Sequence, residues 1–450
     1  MNRIDSSVRN SARVRITAKI AGTAVLLWAV MVLTTCGAHE PANHHALPEF
    51  YSSADDIPTS GADYPGTEAY DREIKKVMVA WNIPGAVIAI AKNGKLILVR
   101  GYGYSDYEGR IIMRPDSISR IGSISKTLTA LAILRLCDEG KLNIDDRFLN
   151  ILTEFRVPDS GDSRINDITI RQLLNHCGGW DRSISSDPTN DGMIIERNYG
   201  LSGPPTRADY IRYTLTKELD FNPGERFAYS NIGYLILGSV IEKISGEKYE
   251  VYVRDHVLAP MGVYSLSIGY EHLEERVPGE VKYYDPWYDD SLFSGEGVTP
   301  RPYGWTNMTG IDAAGGWISS AIELTRILTA MDGSRTAQFL SQTSMNDMFG
   351  NPGLPEWSGD KSWYGMGLFV GPSTGRWGHG GSMAGMQSNM YRLDNGYVWV
   401  VITNSRSEDP DGYSNALYWA MTNALGSGID GSSDDLYDEY PSVHTPPRGY

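Results

Sequence analysis

The pattern of apolar and polar positions predicts a pair of antiparallel strands near each end of the chain. Residues 85–103, GAVIAIAKNGKLILVRGYG, form two apolar runs joined at Asn93-Gly94, and residues 388–404, SNMYRLDNGYVWVVITN, repeat this arrangement at Asn395-Gly396. An Asn-Gly pair suits the two central positions of a type I′ turn, because both positions need a positive φ. Both segments are therefore predicted to be β-hairpins.

Around and between these hairpins, apolar residues recur at helical spacing. Helices are predicted near residues 69–80, 126–140, 234–246 and 319–331, because apolar residues three and four positions apart share one helix face. The chain lacks the regular β-α-β alternation that indicates a parallel sheet. The predicted fold class is mixed α/β: a central antiparallel sheet built from both ends of the domain and flanked by helices, plus a helical subdomain.

Both ends of the chain differ in composition from the central block. Residues 1–36 begin with basic residues and continue into the apolar run IAGTAVLLWAVMVL, which is typical of a signal peptide. Residues 37–68 are rich in Pro, Ser, His, Asp and Gly and predict a flexible linker, and residues 427–450 predict an acidic, disordered tail. One domain is therefore expected over residues 69–426.

The apolar run ends at LTTCG, which is similar to a bacterial lipoprotein cleavage site at Cys36. Thr35 departs from the Gly, Ala or Ser that usually precedes the lipidated cysteine. Lipidation of Cys36, an uncleaved anchor and a conventional signal peptide are therefore three alternatives. Each predicts an exported protein in the periplasm or cell envelope, and the first two predict membrane attachment through the N-terminus.

Charge and cysteine content narrow the range of partners. The chain has a formal net charge of -15 and no cluster of Lys and Arg outside its N-terminus, which argues against nucleic acid. Cys137 lies in an apolar helical run and predicts a buried free thiol, with pairing to Cys177 as the alternative. Because CxxC and His-rich spacings are lacking, no metal or organic cofactor is implied. We expect a small-molecule or peptide-like substrate, while the oligomeric state stays open.

A Ser-x-x-Lys pattern at the start of a predicted helix is the first indication of chemistry. The pattern occurs at residues 123–126, 245–248 and 358–361, so by itself it is weak. Only Ser123 opens an apolar helix, with Lys126 one turn later on the same face. Serine is a nucleophile only beside a base, and Lys126 is a base only if burial lowers its pKa. The alternative is a Ser123 helix cap with a solvated Lys126.

A second pattern, Tyr229-Ser230-Asn231 in FNPGERFAYSNIGYLILGSVIEKISG, also stands at the start of an apolar helix. A lysine and a tyrosine placed side by side can share a proton near neutral pH, although the ordinary pKa of each side chain is about 10. The same Tyr-Ser-Asn triplet occurs at residues 413–415, ahead of the predicted C-terminal helix. We select Tyr229, because residues 413–415 follow all the other chemical motifs.

Together these motifs resemble the serine β-lactamase and penicillin-binding protein superfamily, in its class C β-lactamase, D,D-peptidase and family VIII esterase branch. Further segments agree in order: GKLNIDD, ITIRQLLNHCGG, AAGGWISSAIELTRIL and WGHGGSMAGMQS. The resemblance covers roughly residues 69–426. It implies that Ser123 is the acylated nucleophile, that Lys126 and Tyr229 transfer its proton, and that Asn231 orients Lys126 and the substrate.

The resemblance also assigns a third motif, in which His379, Gly380 and Gly381 stand where relatives have Lys-Thr-Gly. It implies that the amides of Ser123 and Ser382 form the oxyanion hole. Gly380 lacks the hydroxyl that helps to hold a substrate carboxylate in relatives. An esterase or amidase is therefore favoured, with a D,D-carboxypeptidase or D-aminopeptidase, a weak β-lactamase and a non-catalytic penicillin-binding or cell-wall-binding protein as alternatives.

Three other features bear on the function. The sequence GPSTG, with Ser373, matches the G-x-S-x-G pattern of α/β-hydrolases. In that fold an HGG motif comes before this pattern, whereas here HGG follows it, so the α/β-hydrolase fold is excluded. GPSTG is instead predicted to form a turn before the strand of His379. His176 is interpreted as structural. The aromatic residues 283–305 are predicted either to line the substrate cleft or to form a surface loop.

Overall fold

The computed structural model describes residues 43–359 and 362–448. The helices of these ranges, numbered in chain order, are α1 Thr67–Ala80, α2 Ser125–Asp138, α3 Phe148–Ile151, α4 Ile170–Leu174, α5 Gly192–Tyr199, α6 Arg207–Thr214, α7 Asn231–Ser245, α8 Tyr249–Val253, α9 Asp312–Gly315, α10 Ala321–Met331, α11 Gln342–Phe349 and α12 Pro410–Gly426. The strands are β1 Asn43–His44, β2 Thr59–Ser60, β3 Gly85–Lys92, β4 Lys95–Asp106, β5 Ile111–Ile112, β6 Ile118–Arg120, β7 Ser267–Ile268, β8 Trp287–Asp290, β9 Val298–Pro300, β10 Trp317–Ser320, β11 Trp363–Tyr364, β12 Phe369–Gly371, β13 Arg376–Met383, β14 Met386–Arg392 and β15 Tyr397–Thr403.

The main sheet joins the two ends of the domain, as the sequence predicts. Its strands run antiparallel in the order β11-β12-β13-β14-β15-β3-β4-β2, with β5 on β4. The two ends meet where β3 pairs with β15, with Val87 opposite Ile402. In this order β14 and β15 lie between β3 and β13, the strand that carries the third motif.

Each face of the sheet is covered by helices, because successive side chains of a strand point to opposite faces. On one face, Ile88 and Ile90 pack in a core that includes Met78 of α1 and Met421 of α12. On the other face, Val87 belongs to a larger core that includes α2, α7 and α10. The helices α2 and α7 belong to the predicted helical subdomain, and they carry the first two motifs.

The two predicted hairpins are confirmed, although only one has the expected turn. Asn93 and Gly94 have φ values of 49° and 82°, as a type I′ turn requires. In the second hairpin only Gly396 has a positive φ, 79°, and its N–H donates to the carbonyl of Leu393. The strands on both sides of Asn395-Gly396 are present, but the type I′ turn expected there is wrong.

The N-terminal segment predicted to be a flexible linker is packed over residues 44–66. Phe50, Tyr51 and Ile57 are buried, and the Tyr51 hydroxyl donates to the carbonyl of Pro84 at 2.6 Å. These three apolar side chains lack helix or strand periodicity, so the pattern does not reveal them. The structure therefore differs from the prediction of flexibility in this range.

The C-terminal tail also lies against the domain, where the sequence predicts disorder. Ile429, Leu436 and Tyr437 are buried, and Arg448 pairs with Glu271 at 2.6 Å. A few apolar side chains anchor this acidic segment. Its carboxylates also form ion pairs with arginines of the domain, as Asp435 does with Arg335. Buried side chains and an ion pair thus connect the tail to the domain, where the sequence predicts a disordered segment.

Tyr437 anchors this tail, and its replacement by alanine is expected to destabilise the protein by about 3 kcal/mol. Its ring centroid lies 4.2 Å from the Arg326 guanidinium and 4.1 Å from that of Arg335. Its hydroxyl donates to Thr325 at 2.9 Å. Chemical denaturation followed by tryptophan fluorescence measures the effect. Tyr437→Phe, the control, removes only the hydroxyl and costs about 1 kcal/mol; an unchanged midpoint for Tyr437→Ala would contradict the packed tail.

Two further predictions concern the cysteines and the N-terminus. Cys177 is buried, Cys137 is half-buried, and both thiols are free. The signal segment 1–36 with Cys36 lies outside the described residues. Among residues 43–359 and 362–448, no helix has the length and apolar character needed to cross a membrane.

Candidate active site

Ser123 lies in a short turn that connects the small sheet β6-β10-β7 to helix α2. The turn spans Gly122–Ile124, and the amide of Ile121 donates to the carbonyl of Trp317 at 3.0 Å. Between Ile121 and Leu134, Ser123 alone is not buried. The fold therefore holds the start of α2 firmly and leaves the Ser123 side chain accessible.

Strand β13 passes directly beside this turn because two glycines allow it. A Cβ atom on Gly381 would lie 2.0 Å from the carbonyl oxygen of Ile121, and one on Gly122, whose φ is +53°, would lie 3.0 Å from the Ser382 nitrogen. Any side chain at Gly381 would push the strand away from the turn that carries Ser123. The close approach brings the Ser382 amide next to the turn that carries Ser123, as an oxyanion hole requires.

Lys126 is completely buried, and three polar atoms surround its amine. Nζ lies 3.1 Å from Ser123 Oγ, 2.8 Å from Asn231 Oδ1 and 2.7 Å from the carbonyl oxygen of Ala314. The two carbonyl-type oxygens can only accept hydrogen bonds, so they take two N–H groups of the amine. In a neutral amine the remaining position is the lone pair, which then faces the Ser123 hydroxyl.

The surroundings of Lys126 favour this neutral amine. Burial lowers the pKa of Lys126 well below its usual value, the charge of Asp187 opposes this effect, and the charge of Arg182 adds to it. The solvated lysine that the Ser-x-x-Lys pattern also allowed is therefore not the state of Lys126.

Tyr229 lies next to Lys126 and is also buried. Its ring centroid is 4.9 Å from Lys126 Nζ and 4.1 Å from the ring of His176. Burial raises the pKa of Tyr229, while the nearby Ser123 hydroxyl lowers it in part. The hydroxyl has no partner at normal hydrogen-bond geometry among the described residues. Tyr229 is thus a neutral phenol that can donate a proton.

Two polar residues that sequence reasoning did not assign to the site hold its second motif in place. Asp187 accepts the backbone N–H of Asn231 at 2.6 Å, at the start of α7. His176, interpreted as structural, has a φ of 54° and accepts the N–H of Ser230 at Nδ1, 3.1 Å away. No motif identifies Asp187, because only the folded chain brings it to α7.

In the third motif, His379 is buried and neutral. Its Nε2 lies 3.0 Å from the Tyr364 hydroxyl, and its Nδ1 lies 2.5 Å from the carbonyl oxygen of Gly380. Burial, with a contribution from the charge of Lys126, lowers the pKa of His379 to about 3. His379 is therefore uncharged and a poor partner for an anionic substrate, which a protonated histidine would attract.

At Gly380, a neighbouring side chain fills the space of the missing hydroxyl. A Cβ atom on this glycine would lie 2.9 Å from Asn389 Oδ1. That oxygen accepts the hydroxyl hydrogen of Ser414, and the Asn389 amide donates to the Ser414 carbonyl. The side-chain amide of Asn389, next to the third motif, is thus hydrogen-bonded to Ser414 of helix α12.

The alternative motif matches lie away from Ser123. Ser245 is at the end of α7 and donates to the carbonyl of Ile241, and Lys361 lies outside the described residues. Tyr413 is buried and donates to Thr403. Ser373 is exposed in the turn Pro372–Thr374 between β12 and β13, as predicted for GPSTG.

The aromatic segment 283–305 contains the hairpin β8-β9 and contacts both the turn after Ser382 and helix α5. At one end, Asp285 accepts the N–H of Gly385 at 3.0 Å, in the turn that follows Ser382. In the loop between β8 and β9, Leu292 lies close to Gly192 of α5. The segment is therefore an ordered wall between β13 and the helical part.

No group of three His, Cys, Asp or Glu side chains in the described ranges 43–359 and 362–448 is arranged to hold a metal ion. The polar atoms around Ser123 are an amine, a phenol, an amide and backbone groups. This set can transfer protons and stabilise an oxyanion with the chain's own atoms.

Known proteins are similar in sequence to parts of this chain. The model of the family named Beta-lactamase matches residues 70–423. Protein flp of Staphylococcus aureus (strain MW2) is 37% identical over 180 residues, which are 40% of this chain and 34% of flp. The probable fimbrial assembly protein FimD of Dichelobacter nodosus is 28% identical over 248 residues, 54% of this chain and 56% of that protein. The chain thus spans about a third to a half of these relatives.

Solved structures share the fold over most of the chain. The octameric penicillin-binding protein homologue from Pyrococcus abyssi is 27% identical with a TM-score of 0.63, covering 80% of this chain and 77% of that one. A D-stereospecific amidohydrolase from Streptomyces sp. is 25% identical with a TM-score of 0.61, covering 80% and 98%. The D-amino acid amidase from Ochrobactrum anthropi SV3, 21% identical with a TM-score of 0.63 and covering 81% and 99%, shares the fold.

Proposed function

The chain belongs to the beta-lactamase family, and from this we propose that it is a serine hydrolase that forms an acyl-enzyme at Ser123 with an ester or amide substrate. The observation that carries the proposal is the buried Lys126 amine, 3.1 Å from Ser123 Oγ and 2.8 Å from Asn231 Oδ1. Burial of a lysine amine costs free energy of folding, so this lysine does not stabilise the fold. Two fixed acceptors direct its amine at the serine hydroxyl. Its value lies in proton transfer.

In the first step, Ser123 Oγ attacks the substrate carbonyl while its proton moves to the lone pair of Lys126. The amides of Ser123 and Ser382 donate to the oxyanion of the tetrahedral intermediate. Collapse of this intermediate breaks the bond to the leaving group, which takes a proton from the neutral Tyr229 phenol. Lys126, now charged, returns its proton to Tyr229, and water then hydrolyses the acyl-enzyme.

The residues of the third motif bear on the substrate preference. His379 is neutral, and Gly380 offers no hydroxyl, so the usual third-motif contacts to a carboxylate are weak. We propose esters or amides as substrates and rank β-lactams and D-Ala-D-Ala peptides below them. The amidohydrolase from Streptomyces sp. supports the amide option, because its name describes a D-stereospecific hydrolase of this fold.

We further propose that the protein acts outside the cytoplasm, either in the periplasm or attached to the cell envelope through Cys36. This proposal depends on the basic and apolar residues of segment 1–36. Mass spectrometry of the membrane fraction, with and without substitution of Cys36, tests lipidation directly.

A substrate panel on the protein without segment 1–36 tests the proposed activity. It contains p-nitrophenyl esters, D-amino acid p-nitroanilides, nitrocefin and D-Ala-D-Ala peptides. We expect kcat/KM for the esters or p-nitroanilides to exceed that for nitrocefin and the peptides by roughly tenfold or more. A protein that forms a stable adduct with penicillin on Ser123 and turns over none of the panel would contradict the hydrolase and indicate a penicillin-binding protein.

A further inference from the structure

Arg182 places a positive charge beside the active site, outside all three motifs. Its guanidinium carbon lies 4.8 Å from the centroid of the Tyr229 ring, and the side chain is half-buried. With the part of the chain that the structure describes, the guanidinium forms no hydrogen bond or ion pair. The carboxylate of Asp181 is already taken, since it pairs with Arg226 at 2.6 Å.

We infer that Arg182 is a substrate-binding residue that recognises a carboxylate located near the scissile bond of the substrate. The inference rests on the proposed hydrolase function and deepens it by adding an anionic group to the substrate class. Arg182 contributes the charged donors that His379 and Gly380 do not provide. Arg182 would then favour an ester or amide that carries a carboxylate over a neutral one.

The guanidinium is presented in a way that suits a carboxylate. The guanidinium lies over the Tyr229 ring, which holds the group beside the site, and its N–H groups form no hydrogen bond with the described residues. Arginine binds carboxylates through two parallel hydrogen bonds from one edge of the guanidinium. Stacking on Tyr229 also places any bound carboxylate next to the residue that donates a proton to the leaving group.

The backbone that carries Arg182 is held on both sides. The Asp181 amide donates to the Asp220 carboxylate at 2.8 Å, and the amide of Ser183 donates to Asp181 Oδ1 at 2.9 Å. The side chain is therefore offered from a fixed main chain, which reduces the entropy lost when a substrate binds.

The electrostatic surroundings leave room for an anion. The buried amine of Lys126 and the guanidinium of Arg182 are close enough for the charge of Arg182 to lower the pKa of Lys126. Two acidic groups also face this region: Asp187, which accepts the Asn231 N–H, and Asp411 of α12. The Asp411 carboxyl has a pKa raised by burial, although Arg182 and Arg406 lower it in part. A substrate carboxylate would supply the partner that Arg182 lacks.

The inference is tested with two pairs of esters that differ only in a carboxylate. In the first pair the carboxylate is on the acyl part: p-nitrophenyl hexanoate against mono-p-nitrophenyl adipate. In the second it is on the leaving group: phenyl hexanoate against the hexanoyl ester of 3-hydroxybenzoate. Wild type, Arg182→Gln, Arg182→Lys and Arg197→Gln are compared. Arg197→Gln makes the same charge change on the exposed side of α5.

In at least one pair, Arg182→Gln is expected to lower kcat/KM for the carboxylate ester roughly 10- to 100-fold more than for its neutral partner. Arg182→Lys keeps the charge and loses the two-pronged geometry, so its loss should be intermediate, and Arg197→Gln should leave the ratio unchanged. The pair that responds shows whether the carboxylate belongs to the acyl or the leaving part.

Equal losses for the charged and neutral esters of both pairs would overturn the inference, because Arg182 would then act only through Lys126. The proposed function would survive that result, since the neutral esters are still hydrolysed by the wild type. A wild type that hydrolyses none of the four esters would overturn the inference, and one that also hydrolyses none of the p-nitroanilides of the substrate panel would overturn the proposed function as well. Thermal unfolding of each variant confirms that a loss does not come from misfolding.

Discussion

Replacing Ser123 with alanine is expected to lower kcat/KM for every ester or amide that is turned over by at least about 10⁴-fold. The same change should abolish covalent labelling by a fluorophosphonate. The reason is that Lys126, Tyr229 and the oxyanion donors all act on the bond that Ser123 Oγ forms. Intact-mass spectrometry and initial rates measure the two effects on the same sample.

Two other serine variants serve as controls for this result. Ser373→Ala removes the serine of GPSTG, which is exposed in its turn, and Ser245→Ala removes a second Ser-x-x-Lys serine at the end of α7. Both should keep wild-type rates and labelling. Full turnover by Ser123→Ala would contradict the acyl-enzyme, and a simultaneous loss in Ser373→Ala would identify Ser373 as the nucleophile.

Replacing Lys126 with methionine is expected to lower kcat/KM by about 10³-fold or more, since it removes the base while keeping the length of the side chain. Arginine at this position should be equally inactive, because a guanidinium does not accept a proton at accessible pH. Lys76→Met, on the exposed side of α1, changes the same residue type away from the site and should have no effect.

The pH profile distinguishes a base from a structural lysine. Because burial lowers the pKa of Lys126, the neutral amine forms at a lower pH than in a free lysine. The wild-type kcat/KM should therefore rise with pH through the lowered pKa of Lys126 and then level off. The remaining activity of Lys126→Met should lack this rise. An identical rise in the methionine variant would assign it to another group and remove Lys126 as the base.

Local sequence patterns were sufficient for the two hairpins at the ends of the domain and for its longer helices. The hairpin at Asn93-Gly94 and the helices α2 and α7 follow from apolar spacing and turn residues within a few positions of one another. The pairing of β3 with β15 could be expected because both hairpins are antiparallel and lie at the two ends. The packed terminal segments could not be predicted, since Ile57 and Tyr437 are isolated apolar residues without a period.

The candidate site was predictable where a motif keeps its residues close in the chain. Ser123 and Lys126 are one helical turn apart, so the helix itself places them together. Motif order then added Tyr229 and His379 through the family resemblance. Asp187 and Arg182 carry no motif, and only their distance to Asn231 and Tyr229 in the folded chain reveals them.

The sequence by itself determined the order of the main elements, the placement of Ser123 and Lys126 at the start of α2, and the family to which the chain belongs. The tertiary structure decided the protonation of these groups. Burial lowers the pKa of Lys126, and Asn231 and Ala314 accept its N–H groups. Burial also lowers the pKa of His379 to about 3, so this histidine is neutral near neutral pH. Burial and long-range contacts set a pKa, and neither exists until distant parts of the chain pack together.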